Sequence, residues 1–255
     1  MLLTALALMG YSAGLLISWQ TGTVGGPALA VNMAGVICSG LAVGLRYFHA
    51  WPMLPMYLGL PALIFALGIG LLLASCRRQH RQTDLLLLQG LLVLLCLLNL
   101  LYPKDFYLPL IRSATIWAHL FLVFGVLARS ALLICGLRAL ASRWKQSDPR
   151  NNTDLSPAAT SRPAILGTVC LTLSIFCGAI WSYLGWGIPL IWHDPAVTLT
   201  MALWFYWICQ FHLVYGGIRS TTVQQKFQIA GGLLVLLSLI PDLGPLRLYV
   251  PGGGS

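Results

Sequence analysis

No glutamate occurs in this chain, and its acidic residues are six aspartates. That removes most carboxylate acid–base chemistry and the oxygen-rich sites that hard cations need. Charge of either sign is scarce: 8% of the 255 residues are charged, while 58% are hydrophobic. A soluble domain carries about 25% charged residues, so the composition excludes one and indicates an all-α, polytopic membrane protein in a lipid bilayer. Neither Cys-x-x-Cys nor Cys-x-x-Cys-His is present, which excludes a dithiol redox motif and covalent attachment of a c-type haem to this chain. The seven cysteines (Cys38, Cys76, Cys96, Cys135, Cys170, Cys177 and Cys209) stand singly, mostly inside apolar runs, and read as small buried residues. The first apolar run lacks a basic segment ahead of it and does not read as a secretory signal. The net charge of +9 is carried in short loops, where it sets membrane orientation; it does not form a nucleic-acid patch.

What the sequence does have is apolar length. Eight runs, 1–19, 28–48, 54–75, 85–101, 114–138, 164–186, 197–218 and 227–243, approach the ~20 residues a helix needs to cross the hydrocarbon. Backbone groups find no water there, so helices are the form such runs take. Ten basic residues (Arg77, Arg78, Arg81, Arg138, Arg143, Lys145, Arg150, Arg162, Arg219 and Lys226) fall on one side of this topology. Four (Arg46, Lys104, Arg112 and Arg247) fall on the other. The excess of positive charge predicts the first side to be cytoplasmic and both termini extracytoplasmic. The polar stretch 139–163 predicts a cytoplasmic linker within a single membrane domain, between a five-helix part (1–138) and a three-helix part (164–243). No internal repeat is present, and the Gly252–Ser255 tail carries no fold information.

The densest chemistry lies between Gly178 and Tyr215. This stretch holds Trp181, Trp186, Trp192, Trp204 and Trp207, and its turn, 186–196, falls on the extracytoplasmic side with His49 and His119. A flat aromatic surface with imidazoles nearby suits a flat hydrophobic ligand with a central metal, and haem is the candidate. His119, one turn inside the fifth span, is an axial ligand or an interfacial imidazole bonded to a carbonyl. His212 lies in the cytoplasmic half of the seventh span, too far from the turn to share an iron with His119. It needs a second site or a partner chain, or else it packs helices. Asp194 either orients an imidazole or caps the seventh helix, with Pro195 in the first turn. His193 sits in the turn, His49 ends the second span beside Trp51, and His80 reads as a solvated loop residue. Arg129, inside the fifth span, pairs with a carbonyl or a propionate, or snorkels. Solute transport fits less well, because apart from Arg129 and His212 the spans offer few polar groups for a path.

The segment GAIWSYLGWGIPLIWHDP resembles the tryptophan-rich "WWD" segment of the cytochrome c assembly family, the CcsA, CcmC and HemX-type haem-handling proteins. Gly178, Ala179, Trp181, Trp186, Gly187 and Trp192 match in register, and Asp194 and Pro195 match after one inserted residue, His193. Leu190 stands where the family has its middle tryptophan. Leu108, Pro109, Leu110, Ser113, Trp117 and His119 resemble the family's preceding helix, and Phe211-His212 its following one. Arg247 stands where a second external histidine belongs. The resemblance implies non-covalent, b-type haem held at Trp181, Trp186, Trp192, His193, Asp194 and His49, with His119 and His212 as metal ligands. It implies delivery to apocytochrome c, a CcsB-like membrane partner and a bacterial inner or thylakoid-type membrane. Any enzymatic role is at most part of a cytochrome c haem-lyase system. A membrane subunit of a larger complex and a regulator of tetrapyrrole synthesis are the alternative expectations.

Overall fold

The structure, a computed structural model, describes residues 2–23, 26–50, 58–76, 82–102, 115–146, 157–190, 192, 194–215 and 221–239. Among them the only regular elements are helices: α1 (Leu2–Thr21), α2 (Gly26–Ala50), α3 (Gly59–Cys76), α4 (Gln82–Leu101), α5 (Ile116–Gln146), α6 (Pro157–Trp186), α7 (Pro195–Tyr215) and α8 (Thr221–Leu237). Seven of them, α1 to α7, are long and apolar enough to cross a membrane. The eighth has 17 residues and carries Gln224, Gln225, Lys226 and Gln228 in its first half.

The helices group by contact. α1 packs on α2 and α4, α3 closes the same group between α2 and α4, and α5 touches it through α3 and α4. The most extensive interface joins α5 to α6; α8 packs on α5, and α7 rests on α6 and α8. α1–α4 and α5–α8 are therefore two four-helix groups sharing one core, in which Leu63, Leu67, Leu92, Leu95 and Leu132 are fully enclosed. Lipid tails are as apolar as leucine, so close packing rather than hydrophobic burial must hold such helices together. Two crossings show how. A Cβ on Gly10 would stand 3.1 Å from the Cα of Gly35, and one on Gly136 only 2.9 Å from the Cα of Gly232. At both places backbone meets backbone.

The expected linker at 139–163 is mostly helix. α5 continues to Gln146 and α6 begins at Pro157, which leaves 147–156 outside the described residues. Polarity suggested a loop, but Arg138–Trp144 is made largely of strong helix formers, and its arginines suit a helix C-terminus. The Ser142 hydroxyl donates back to the Arg138 carbonyl (2.7 Å).

The Gly136 crossing makes a direct prediction. Gly136→Val forces α5 and α8 apart and should cost about 1–3 kcal/mol, as overpacking does, read as a lower melting temperature in detergent. Gly90→Ala, inside α4 with open space around it, should change stability by no more than about 1 kcal/mol, in the favourable direction.

Candidate functional site

Thr115 opens the first turn of α5, its carbonyl accepting the Ala118 amide (3.1 Å). One turn on, His119 Nδ1 lies 3.0 Å from the same carbonyl. A carbonyl only accepts, so Nδ1 carries the proton. In the neutral ring, Nε2 then offers a lone pair. That lone pair faces the Tyr47 hydroxyl, 2.8 Å away on the last turns of α2. The two rings meet edge to face, 5.9 Å between centroids. Among the described residues the buried Thr115 hydroxyl beside this pair has no hydrogen-bond partner.

Phe121 follows two positions later, roughly 200° around the helix, and so faces α6. Its ring stacks on Trp181 (6.0 Å, 22° between planes). It also lies against Gly178, where a Cβ would come within 2.9 Å of it. The Ser174 hydroxyl fastens the same point by donating to the Phe121 carbonyl (2.9 Å). Trp181 is thus a packing residue, 9% exposed, rather than part of an open indole surface. The imidazole of His119 meets Tyr47 of α2 on one side and the Thr115 carbonyl on the other.

That turn is anchored at both ends. Gly187 leaves α6 with φ +74°, a conformation that favours glycine, and its amide donates to the Tyr183 carbonyl (2.8 Å). The Ser182 hydroxyl reaches the Ile188 carbonyl (2.7 Å). At the other end Asp194 Oδ1 accepts the Ala196 amide (2.8 Å), and its carbonyl accepts those of Val197 and Thr198 (both 3.1 Å). Asp194 is therefore the N-cap of α7, with Pro195 in the first turn. Between these anchors Trp192 is exposed, and its carbonyl accepts the Thr198 hydroxyl (3.1 Å). His193 and the side chain of Trp186 lie outside the described residues, as do His80 and Arg247.

The remaining sequence candidates separate. His49 is exposed at the end of α2, near Tyr47 and on the side of His119. His212 is exposed in the last turn of α7, at the end opposite the turn. Arg129 reaches the first turn of α3, its guanidinium 3.9 Å from where a Cβ on Gly59 would sit. Trp204 and Trp207 pack between helices. The Trp204 indole donates to the Thr172 hydroxyl (2.9 Å), and Trp207 is fully enclosed. Among the described residues no three His, Cys, Asp or Glu side chains converge as a metal cluster. Sequence reasoning missed Tyr47. Its signal was present in Arg46-Tyr47-Phe48-His49, which the topology already placed at the His119 end.

The capping geometry of Asp194 separates its two expected roles. Asp194→Ala should destabilise the protein by about 1 kcal/mol, the usual worth of an N-cap, whereas Asp194→Asn caps as well and should leave the melting temperature nearly unchanged. Equal losses in both variants would point to the charge instead.

Comparison of the chain with family models, with curated proteins and with solved structures finds no match in any of the three. Its standing as a multi-pass membrane protein rests on its own helices.

Proposed function

We propose that this chain is a haem-handling membrane protein of cytochrome c biogenesis that holds b-type haem non-covalently at the His119 end of the bundle. The observation that carries this reading is the imidazole of His119. Its Nδ1–H is spent on the Thr115 carbonyl, which fixes the tautomer and leaves Nε2 as the donor, the arrangement metal-ligating histidines adopt. A haem needs one or two axial donors, not a cluster of three, so the donor set fits. Tyr47 caps Nε2 through one hydrogen bond, and exchanging such a bond costs about 1 kcal/mol. His119 would hold the iron, His49 and His193 are the further imidazoles that could assist at this end, and the exposed Trp192 would be available to a flat ligand reaching the turn. When bound, haem supplies the vinyl groups to which apocytochrome thiols add. The protein binds, orients and shields it. The resemblance of Gly178–Pro195 to the tryptophan-rich family segment supports the same reading.

A second reading, a membrane subunit of a larger complex, is favoured by α7. It packs chiefly on α6 and α8, and its outward face carries Phe205, Cys209 and His212. A partner helix there would cover an imidazole otherwise turned to lipid.

The absorption spectrum of protein purified from haem-replete membranes tests the first reading. A Soret band should be present in the wild type, lost in His119→Ala and kept in Tyr47→Phe, which merely uncaps Nε2. His212→Ala should keep the band in the isolated chain. A wild type without a Soret band removes the haem reading, and a native mass containing a second polypeptide selects the subunit reading.

A further inference from the structure

The buried face of α1 carries three polar side chains, Thr4, Tyr11 and Ser18, along with Ala7 and Gly14. Thr4, Tyr11, Gly14 and Ser18 are all buried and recur at helical spacing on one stripe. Asn32 and Ser39 of α2 and Gln89 and Asn99 of α4 are also buried, on helices that pack directly against α1. The stripe from Thr4 to Ser18 covers roughly 21 Å of helix at 1.5 Å per residue, most of the ~30 Å hydrocarbon layer.

Part of this seam is internally satisfied. Ser39 donates to the Val36 carbonyl (2.9 Å), and Tyr11 donates to Ser39 Oγ (3.3 Å). Gln89 Nε2 donates to Ser18 Oγ (3.3 Å). The middle is not satisfied. Asn32 is 0% exposed, and among the described residues neither polar atom of its carboxamide has a hydrogen-bond partner; Gln89, also 0% exposed, has an Oε1 unpartnered among them. The Asn32 carboxamide occupies the notch left by Gly14, where any Cβ would collide with it. Asn32 and Gln89 therefore meet the same stretch of α1, Gly14–Ser18, from two sides. Buried polar groups in membrane helices are costly, and they mark pathways when they face the bundle interior.

The unpartnered atoms are two acceptors, Asn32 Oδ1 and Gln89 Oε1, and one donor, Asn32 Nδ2. Among the described residues no charged side chain is buried in the seam, so it favours uncharged ligands. We propose that the α1–α2–α4 seam binds a small neutral solute with at least two hydrogen-bond donors and one acceptor at the level of Asn32 and Gln89, and passes it across the bilayer. Water and simple amides such as formamide share this chemistry. In an amide the carbonyl accepts from Asn32 Nδ2, while its N–H groups donate to Asn32 Oδ1 and Gln89 Oε1. The sequence alone argued against a solute path because, apart from Arg129 and His212, the spans offer few polar groups; these uncharged amides and hydroxyls did not stand out span by span. Folding puts them on facing surfaces.

Stopped-flow light scattering on proteoliposomes of the full chain tests this, with a sorbitol step reading water and a formamide gradient reading amide. The wild type should equilibrate faster than protein-free vesicles for at least one probe, which identifies the solute. The excess rate should be lost in Asn32→Leu and Gln89→Leu, with melting temperature unchanged or raised, and kept in the lipid-facing Met33→Leu. Should a leucine variant fail to fold, Asn32→Ser and Gln89→Ser are read in the same way. A wild type no faster than empty vesicles for both probes, or an excess rate surviving in both folded variants, overturns the proposal.

Discussion

Every peptide group that enters hydrocarbon must bring its own hydrogen-bond partner, because lipid offers none. That single demand explains why the described chain is helical wherever it is apolar and why turns fall at the helix ends. It also decides where polar side chains go. Ser142 and Thr168 donate to carbonyls four residues back on their own helix. Ser174, Trp204 and Tyr206 tie one helix to another. With no hydrophobic gain from helix association in lipid, cohesion falls to contact at close range, and the Gly10/Gly35 and Gly136/Gly232 crossings place it where side chains are missing.

The same demand shapes the candidate site. An imidazole near the membrane boundary is tolerated when both nitrogens are engaged, and His119 meets this with one carbonyl of its own helix and one hydroxyl of α2. The arrangement fixes the protonated nitrogen and leaves the other paired with an exchangeable group. Structural satisfaction and readiness to ligate are two descriptions of one geometry. Nearby, the Phe121–Trp181 stack closes the α5–α6 interface.

Apolar runs made the spans legible, because length and hydropathy are properties of a segment alone. Asp194 was legible in the same local way, since Asp before Pro at a helix start is a short-range signal and the cap forms within three residues. The end of α5 was misread because Arg, Ser and Lys are polar, whereas helix propensity follows backbone and rotamer entropy. The pairings of Tyr47 and Asn32 were harder to read, although topology put Tyr47 at the His119 end: their partners lie 72 residues away in the one case and on a different helix in the other. Nothing in a single span states which of its faces will meet a neighbour. The rotation of α5 about its own axis, which turns His119 to α2 and Phe121 to α6, is fixed by packing against α6 and not by any residue between them.

α5 runs 31 residues without a proline, a rod of roughly 46 Å set in a layer about 30 Å thick. Arg143 and Trp144 are exposed near one end of this rod, and His119 lies near the other. A rod of this kind tilts as one piece. Because α5 packs along α6, α8, α3 and α4, a shift at its Arg143 end would have to be shared by the helices that hold the imidazole against Tyr47.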